Sequence, residues 1–297
     1  MNVLISGATG LIGTALIPEL EAGGHRVTRL TRSPRSADDA GWDPEAGTIE
    51  GDLEGTDAVV HLAGESIAEG RWTPEKKRRI LESRRKGTRL LAERIAALRT
   101  PPRVMVSASA VGYYGDRGNE LLTEESGPGT GFLAEVCREW EAGADPAREA
   151  GIRVVHPRIG IVLSPKGGAL GTTLPIFKLG AGGKIGSGRQ YWSWISLDDV
   201  AGSFAHALTN EAVSGPVNVG SSNPLTNAEY TKVLGRVLNR PTVFPVPAPA
   251  ARIALGGMAD ELLLASQRMQ PARLEETGYA FRHPDLEEAL RHLLGRR

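Results

Sequence analysis

The chain has 297 residues, enough for one large or two modest domains, and its 35 basic residues balance its 35 acidic ones. Zero net charge gives no general attraction to nucleic acid or an anionic membrane, and the single cysteine, Cys137, excludes an intramolecular disulfide or a cysteine-rich zinc site. No apolar run approaches the ~20 residues of a membrane helix, and Gly7 interrupts the one candidate leader, so a soluble cytoplasmic protein is expected.

The first predicted strand, Val3–Ser6, leads into Gly7-Ala8-Thr9-Gly10-Leu11-Ile12-Gly13, and a helical pattern covers Leu11–Ala22. A strand, a glycine-rich turn and a helix in that order make a phosphate cradle. The glycines admit a pyrophosphate close to the backbone, and the helix N-terminus offers unpaired N–H groups and partial positive charge. The second strand, Val27–Thr31, is followed by Arg32 at about the ~20 residues past the turn where an NAD site places an acidic residue for the ribose. No acid is present. A guanidinium there suits a 2′-phosphate, so NADP is expected, the plain alternative being a surface arginine.

The strand Ala58–Leu62 closes on His61-Leu62-Ala63-Gly64, where small residues let the adenine-ribose side of a dinucleotide lie on the backbone. In order with the first glycine motif, this resembles the extended branch of the short-chain dehydrogenase/reductase superfamily. A helix is predicted over Pro74–Leu98, with Thr73 as cap, Pro74 in the first turn and Glu75 complementing the dipole. Its Lys76-Lys77-Arg78-Arg79 run reads as a solvated face rather than a nucleic-acid patch. A strand at Arg103–Ser107, a helix over Phe132–Glu149 and a strand at Val154–His156 complete the alternation. The pattern predicts an α/β, doubly wound parallel-sheet Rossmann fold with a small C-terminal substrate lobe.

Beyond Arg158 the glycines between residues 164 and 190 predict long loops. Asp198 is a candidate helix cap, and Asn218-Val219-Gly220 a strand end. Pro241–Pro249 reads as an extended connector, followed by helices over Ala250–Gln267 and Asp285–Leu294. The expected division is 1–158 with about 198–235 as the cofactor domain, and 159–197 with 236–297 as the lobe. The six histidines lack ligand spacing in sequence, so no metal site is expected, and His61 is read as structural.

Ser83-Arg84, Ser107-Ala108-Ser109-Ala110-Val111-Gly112-Tyr113-Tyr114-Gly115, Gly186-Ser187-Gly188, Trp194-Ile195, Asp198-Asp199-Val200, Pro271-Ala272-Arg273-Leu274 and Gly278-Tyr279-Ala280-Phe281 narrow the match. Together they resemble the epimerase family protein group, an atypical extended short-chain dehydrogenase with a C-terminal segment of unknown role. The resemblance spans essentially the whole chain. It implies NADP (NADPH) as cofactor, held by Gly7, Thr9, Gly10, Leu11, Ile12, Thr31, Arg32, Leu62, Ala63 and Arg84, with Gly13 and Gly64 completing the two glycine turns. It implies no defined reaction.

Typical superfamily members pair a serine with a Tyr-x-x-x-Lys helix, the tyrosine exchanging the proton and the serine polarising the substrate oxygen. Ser109 stands where that serine belongs. Where the tyrosine helix should follow, the sequence has Phe132 and Val136, and no tyrosine in the chain has a lysine four residues on. Three explanations stay open: Tyr113 or Tyr114 carries the proton, a substrate group or water does, or the chain binds NADP without turnover as a regulatory or redox-sensing protein. Arg158, Arg189 and Trp192 are the candidate substrate contacts, with Trp194 read as packing. The expected partner is a small-molecule substrate, not nucleic acid or a membrane, with the chain a monomer or homodimer.

Overall fold

The apolar runs of the first half become strands within a few residues of their expected ends: Asn2–Ser6, Arg26–Thr31, Ala58–His61, Val104–Ser107 and Arg153–Ile159. Two further strands, Ala40–Asp43 and Thr48–Glu50, escaped the sequence reading because they are short and only Trp42 and Ile49 mark them as apolar. The sheet order is Gly215–Val219, Arg153–Ile159, Val104–Ser107, Ala58–His61, Asn2–Ser6, Arg26–Thr31, Ala40–Asp43, Thr48–Glu50. From Arg153–Ile159 to Ala40–Asp43 the registered neighbours are parallel, and the Ala40–Asp43/Thr48–Glu50 hairpin is antiparallel. Strand order therefore reverses between Asn2–Ser6 and Ala58–His61. That switch point, at the carboxyl ends of the strands, is where open α/β sheets bind ligands.

The computed structural model describes residues 1–36 and 39–296, which divide into two compact units. The first comprises Met1–Ser109, Val136–Pro157 and Ala201–Val217. Its helix Leu11–Ala22 buries Leu16, Ile17 and Leu20, and its helix Pro74–Ala96 buries Ile80, Leu91, Ala92 and Ile95. Leu91, Ala92 and Ile95 join a core with Leu4, Val59 and Met105 from the central strands. Burying each of the larger apolar side chains contributes about 1.5–3 kcal/mol. Thr73 caps the long helix by accepting from the Lys76 N–H at 3.2 Å, as its sequence implies.

The second unit comprises Ala110–Glu135, Arg158–Val200 and Asn218–Arg297. It takes in more than the expected lobe. The helix Asn227–Leu238 belongs here because Tyr230, Leu234, Val237 and Leu238 pack with Trp192, Trp194 and Leu286. Residues 110–135 belong here because Leu121–Leu122 pairs in parallel with Arg268–Met269. The predicted loops of 164–190 contain a helix, Gly168–Lys178, whose Leu170, Leu174 and Phe177 recur at helical spacing and are buried in the same core.

Two predicted helices are interrupted. The span expected from Phe132 to Glu149 forms Phe132–Ala142 and Asp145–Glu149, separated at Gly143 and Ala144. The span Ala250–Gln267 forms Ala248–Leu255 and a π-helical stretch at Ala259–Leu264, with Gly256 at φ 62° ending the first piece. No helix among the described residues is long and apolar enough to cross a membrane.

Asp198 is not the expected cap of the helix Leu197–Thr209. Ser196 takes that role, its Oγ accepting from the Asp199 N–H at 3.0 Å and donating back to Asp199 Oδ2 at 2.7 Å. Asp199 is 1% exposed and also accepts from the N–H groups of Arg282 and His283 and from the Tyr279 hydroxyl. Removing this carboxylate strands several buried donors at once. Asp199→Ala is expected to lower the urea unfolding free energy by about 3 kcal/mol, whereas a loss within about 0.5 kcal/mol would show these bonds to be replaced by water.

Candidate functional site

The cradle is built from main-chain contact. Gly7 has φ 73°, and a Cβ on it would stand 2.8 Å from the Leu62 carbonyl carbon and 2.9 Å from the Ala63 nitrogen. The turns after the two central strands therefore touch across the switch point, and only a residue without a side chain fits. A Cβ on Gly13 would meet the Gly7 oxygen at 2.5 Å, so the third glycine lets the helix approach the strand. Gly10 closes the turn by donating to the Gly7 carbonyl at 3.0 Å and forms the helix N-cap without a side-chain capping bond. No acidic residue stands in that first turn. The result is an uncapped positive helix end beside a glycine turn, which fits a pyrophosphate.

Thr31 ends its strand and Arg32 follows as an exposed residue. Arg32 is among the cations that hold the Glu65 carboxyl below its ordinary range, after the dominant hydrogen bond and charge of Lys76. The 62–65 turn is braced by Arg84. Its Nη1 donates to the Glu65 carbonyl at 2.9 Å and the Ile80 carbonyl at 3.2 Å, and its guanidinium lies over the Trp140 ring at 4.7 Å. A Cβ on Gly64 would stand 3.0 Å from the Arg84 guanidinium carbon, so the guanidinium packs close against this turn. Arg84 thus supports the turn that forms one wall of the cradle.

Several cations of the long helix are paired with carboxylates. Lys76 is buried and bonded to Glu65 at 2.6 Å, while Arg79 pairs with Glu75 and both Arg85 and Lys86 pair with Glu82.

Ser109 is 1% exposed, and its hydroxyl donates to Glu141 Oε1 at 2.7 Å. Sequence reasoning missed Glu141. It lies 32 residues away, and no local pattern connects the two.

In the second unit, Tyr114 is fully buried. Its hydroxyl faces the Asn218 Oδ1 at 2.7 Å and the Thr123 carbonyl at 3.0 Å and accepts from Arg158 Nη1 at 3.1 Å. Burial pushes this phenol up to about 12, against the opposing pull of Arg158. Tyr114 is thus a core hydrogen-bonding post and has no surface on which to meet a ligand, contrary to its candidacy as a proton carrier.

Arg158, expected at the substrate, is also buried. Its guanidinium stacks on the Tyr113 ring at 3.4 Å, close enough for a strong cation–π contact. Glu124 sits beneath, accepting from the Asn218 and Arg273 N–H groups, and burial raises its carboxyl pKa. Trp192 is 7% exposed, tilted against Tyr230 with ring centroids 5.3 Å apart, and belongs to the core rather than to a ligand surface. Trp194, likewise buried, donates from its indole nitrogen to the Asn223 carbonyl at 3.0 Å. Arg189 alone of the three substrate candidates is exposed. Tyr113 is half-buried, and its hydroxyl has no hydrogen-bond partner among the described residues.

The segment after residue 264 is stitched into this unit. Ser193 Oγ donates to the Gln267 carbonyl at 2.7 Å and accepts from the Met269 N–H at 2.8 Å, while Asn218 Nδ2 donates to the Gln270 carbonyl at 2.8 Å. Glu261, another residue missed from sequence, accepts from the Phe132 and Leu133 N–H groups at 3.0 and 2.6 Å, capping that helix from afar.

A glycine cradle at the switch point of a parallel sheet defines a dinucleotide-binding protein of the Rossmann type. Residues 3–220 match the model of the NAD dependent epimerase/dehydratase family, and the chain belongs to it; residues 246–293 match a domain of unknown function, DUF1731. Epimerase family protein Mb2239 of Mycobacterium bovis is 43% identical over 97% of this chain and 96% of its own. The human epimerase family protein SDR39U1 (isoform 2), crystallised with NADPH, superposes with a TM-score of 0.92 at 36% identity, covering 100% of both chains. A nucleoside-diphosphate sugar epimerase from Corynebacterium glutamicum superposes with a TM-score of 0.83 at 41% identity, covering 99% of this chain and 58% of that one.

His61 forms the floor beneath the cradle. It is fully buried, 2.6 Å from Ser6 Oγ through Nδ1 and edge-on to Trp42, and burial with the nearby Arg84 charge lowers its pKa to about 3. The folded chain therefore binds this proton less readily than the unfolded chain does. The stability so gained is complete above pH 6.5 and is lost as pH falls toward 3. Denaturation between about pH 6.5 and 5 should show wild type losing up to about 1.4 kcal/mol per pH unit more than His61→Gln; parallel curves would mean that His61 titrates normally.

Proposed function

We propose that this chain binds NADP(H) and catalyses hydride transfer on a small-molecule substrate, as an oxidoreductase or a sugar-nucleotide-epimerase-like enzyme. The cradle carries the cofactor part: an uncapped helix end without acidic residues, opposed by Gly7 against Leu62 and Ala63. NADP is favoured over NAD because Arg32, and no acid, follows the second strand, and NADPH accompanies the human relative. The helix N–H groups from Leu11 to Gly13 would take the pyrophosphate, with Thr9, Thr31, Leu62 and Ala63 lining the ribose side.

When bound, the dinucleotide supplies or accepts a hydride at carbon. Tyr113 is the proton carrier that replaces the missing Tyr-x-x-x-Lys pair. The supporting observation is its uncommitted hydroxyl on a ring held in place by Arg158. In the reductive direction Tyr113 gives its proton to the substrate oxygen, and in the oxidative direction it takes one back. Ser109, buried with its hydroxyl donated to Glu141, takes no part in this exchange. A second reading, a non-catalytic NADP-binding sensor, is favoured by Phe132 and Val136 at the positions of the usual pair.

Calorimetric titration with both dinucleotides tests the cofactor: NADPH should bind more tightly than NADH, and Arg32→Ala should remove at least about tenfold of that preference. Tighter NADH binding would overturn the assignment. NADPH oxidation across a panel of UDP-sugars, aldehydes and ketones tests the chemistry. Tyr113→Phe is expected to lower kcat about 100-fold or more with NADPH affinity retained, and Tyr114→Phe to lower stability instead. NADPH binding with no turnover of any panel member would favour the sensor.

A further inference from the structure

Histidines that are scattered in sequence meet in the second unit. His283, His292 and Asp198 each present one ligand atom, and these atoms all lie within 4.8 Å of one another. The Nε2 atoms of both histidines face the same carboxylate oxygen, Asp198 Oδ2, at 2.8 Å from His292 and 3.7 Å from His283. The two imidazoles stack with centroids 4.3 Å apart and planes 26° from parallel. Tetrahedral zinc with bonds of about 2.1 Å sets its ligand atoms roughly 3.4 Å apart, and the two measured separations bracket that value.

The ligands are held by the chain without any ion. Asp199, next to Asp198, is buried and accepts from the main-chain N–H groups of Arg282 at 2.7 Å and His283 at 3.1 Å, which fixes the histidine loop against the carboxylate. His292 lies in the last turn of the helix Leu286–Leu293, whose Leu286, Ala289 and Leu290 are buried in the second unit's core and whose Asp285 caps its start. The neighbouring cation Arg291 is engaged by Glu287 at 2.7 Å. His292 is 54% exposed at its side chain, which leaves a face of the cluster open to water.

We infer that Asp198, His283 and His292 form a binding site for a divalent transition-metal ion, Zn²⁺ by its ligand set, with water completing the coordination. Two imidazoles and one carboxylate suit zinc, cobalt or nickel, and disfavour magnesium and calcium, which take oxygen ligands. The ion would clip the C-terminal helix to the start of the helix Leu197–Thr209 across more than eighty intervening residues.

The test uses the full-length, tag-free protein after chelator treatment. Calorimetry with Zn²⁺ at neutral pH is expected to give one saturable site, weakened at least about tenfold in His283→Gln, His292→Gln and Asp198→Ala alike. Co²⁺ should give visible d–d absorption in wild type that these variants lose, and Zn²⁺ should raise the wild-type unfolding temperature only. His292→Gln changes an exposed position, and its unfolding in chelator should match wild type, separating lost ligation from lost folding. His25→Gln, beside the N-terminal amine, is the control for adventitious binding and should bind as wild type does. No saturable Zn²⁺ binding up to about 100 μM, or binding unchanged in the three variants, would overturn the site and leave a plain histidine–carboxylate pair.

Discussion

The cofactor half of this protein depends on one steric constraint, the contact of the Gly7 main chain with the peptide between Leu62 and Ala63. A methyl group at residue 7 would overlap that peptide, and one at residue 13 would overlap the Gly7 carbonyl. Because neither is present, strand, turn and helix close to their minimum separation, and the helix end points into the switch of the sheet. The left-handed φ of Gly7 belongs to the same requirement. Arg84 extends it outward, filling the space that a side chain on Gly64 would occupy and tying the 62–65 turn to the long helix.

The second unit is organised by buried polar groups more than by a sheet. Tyr114, Asn218, Glu124 and Arg158 form one network under Tyr113, and Asp199 forms another under residues 279–283. Such networks specify a single arrangement because an unmatched member is costly in a low-dielectric interior. The first network accounts for Arg158, and the apolar core for Trp192, two residues that looked like substrate contacts. Arg158 and Trp192 carry ligand-binding chemistry, yet both spend it inside the unit.

Most of the first unit was legible. Its central strands Ala58–His61 and Val104–Ser107 are near-continuous apolar runs because they are buried on both faces, and its helices announce themselves through Thr73, Pro74 and the glycine turn. The glycine cradle was legible for the same reason: its geometry is local. What escaped depends on distance along the chain. Ser109 finds Glu141, the helix at Phe132 finds Glu261, and Asp198 finds two histidines more than eighty residues later, and no periodicity encodes such meetings. The helix Gly168–Lys178 was hidden differently. Its glycines at 168 and 171 suggested loops, while the anchoring Leu170, Leu174 and Phe177 count only once a core exists to receive them.

The hydrogen bonds from Ser193 to Gln267 and Met269 bear on what residues 246–293 are. A family boundary drawn at residue 246 suggests a module appended to an older enzyme, able to be gained or lost whole. The folding boundary lies elsewhere, since Arg268–Met269 is the partner strand of Leu121–Leu122 and residue 270 satisfies Asn218. The C-terminal segment is therefore no autonomous domain. Residues 267–270 complete structure begun near residue 121, so strand and hydrogen-bond partners in the second unit stay unmatched until this segment is in place.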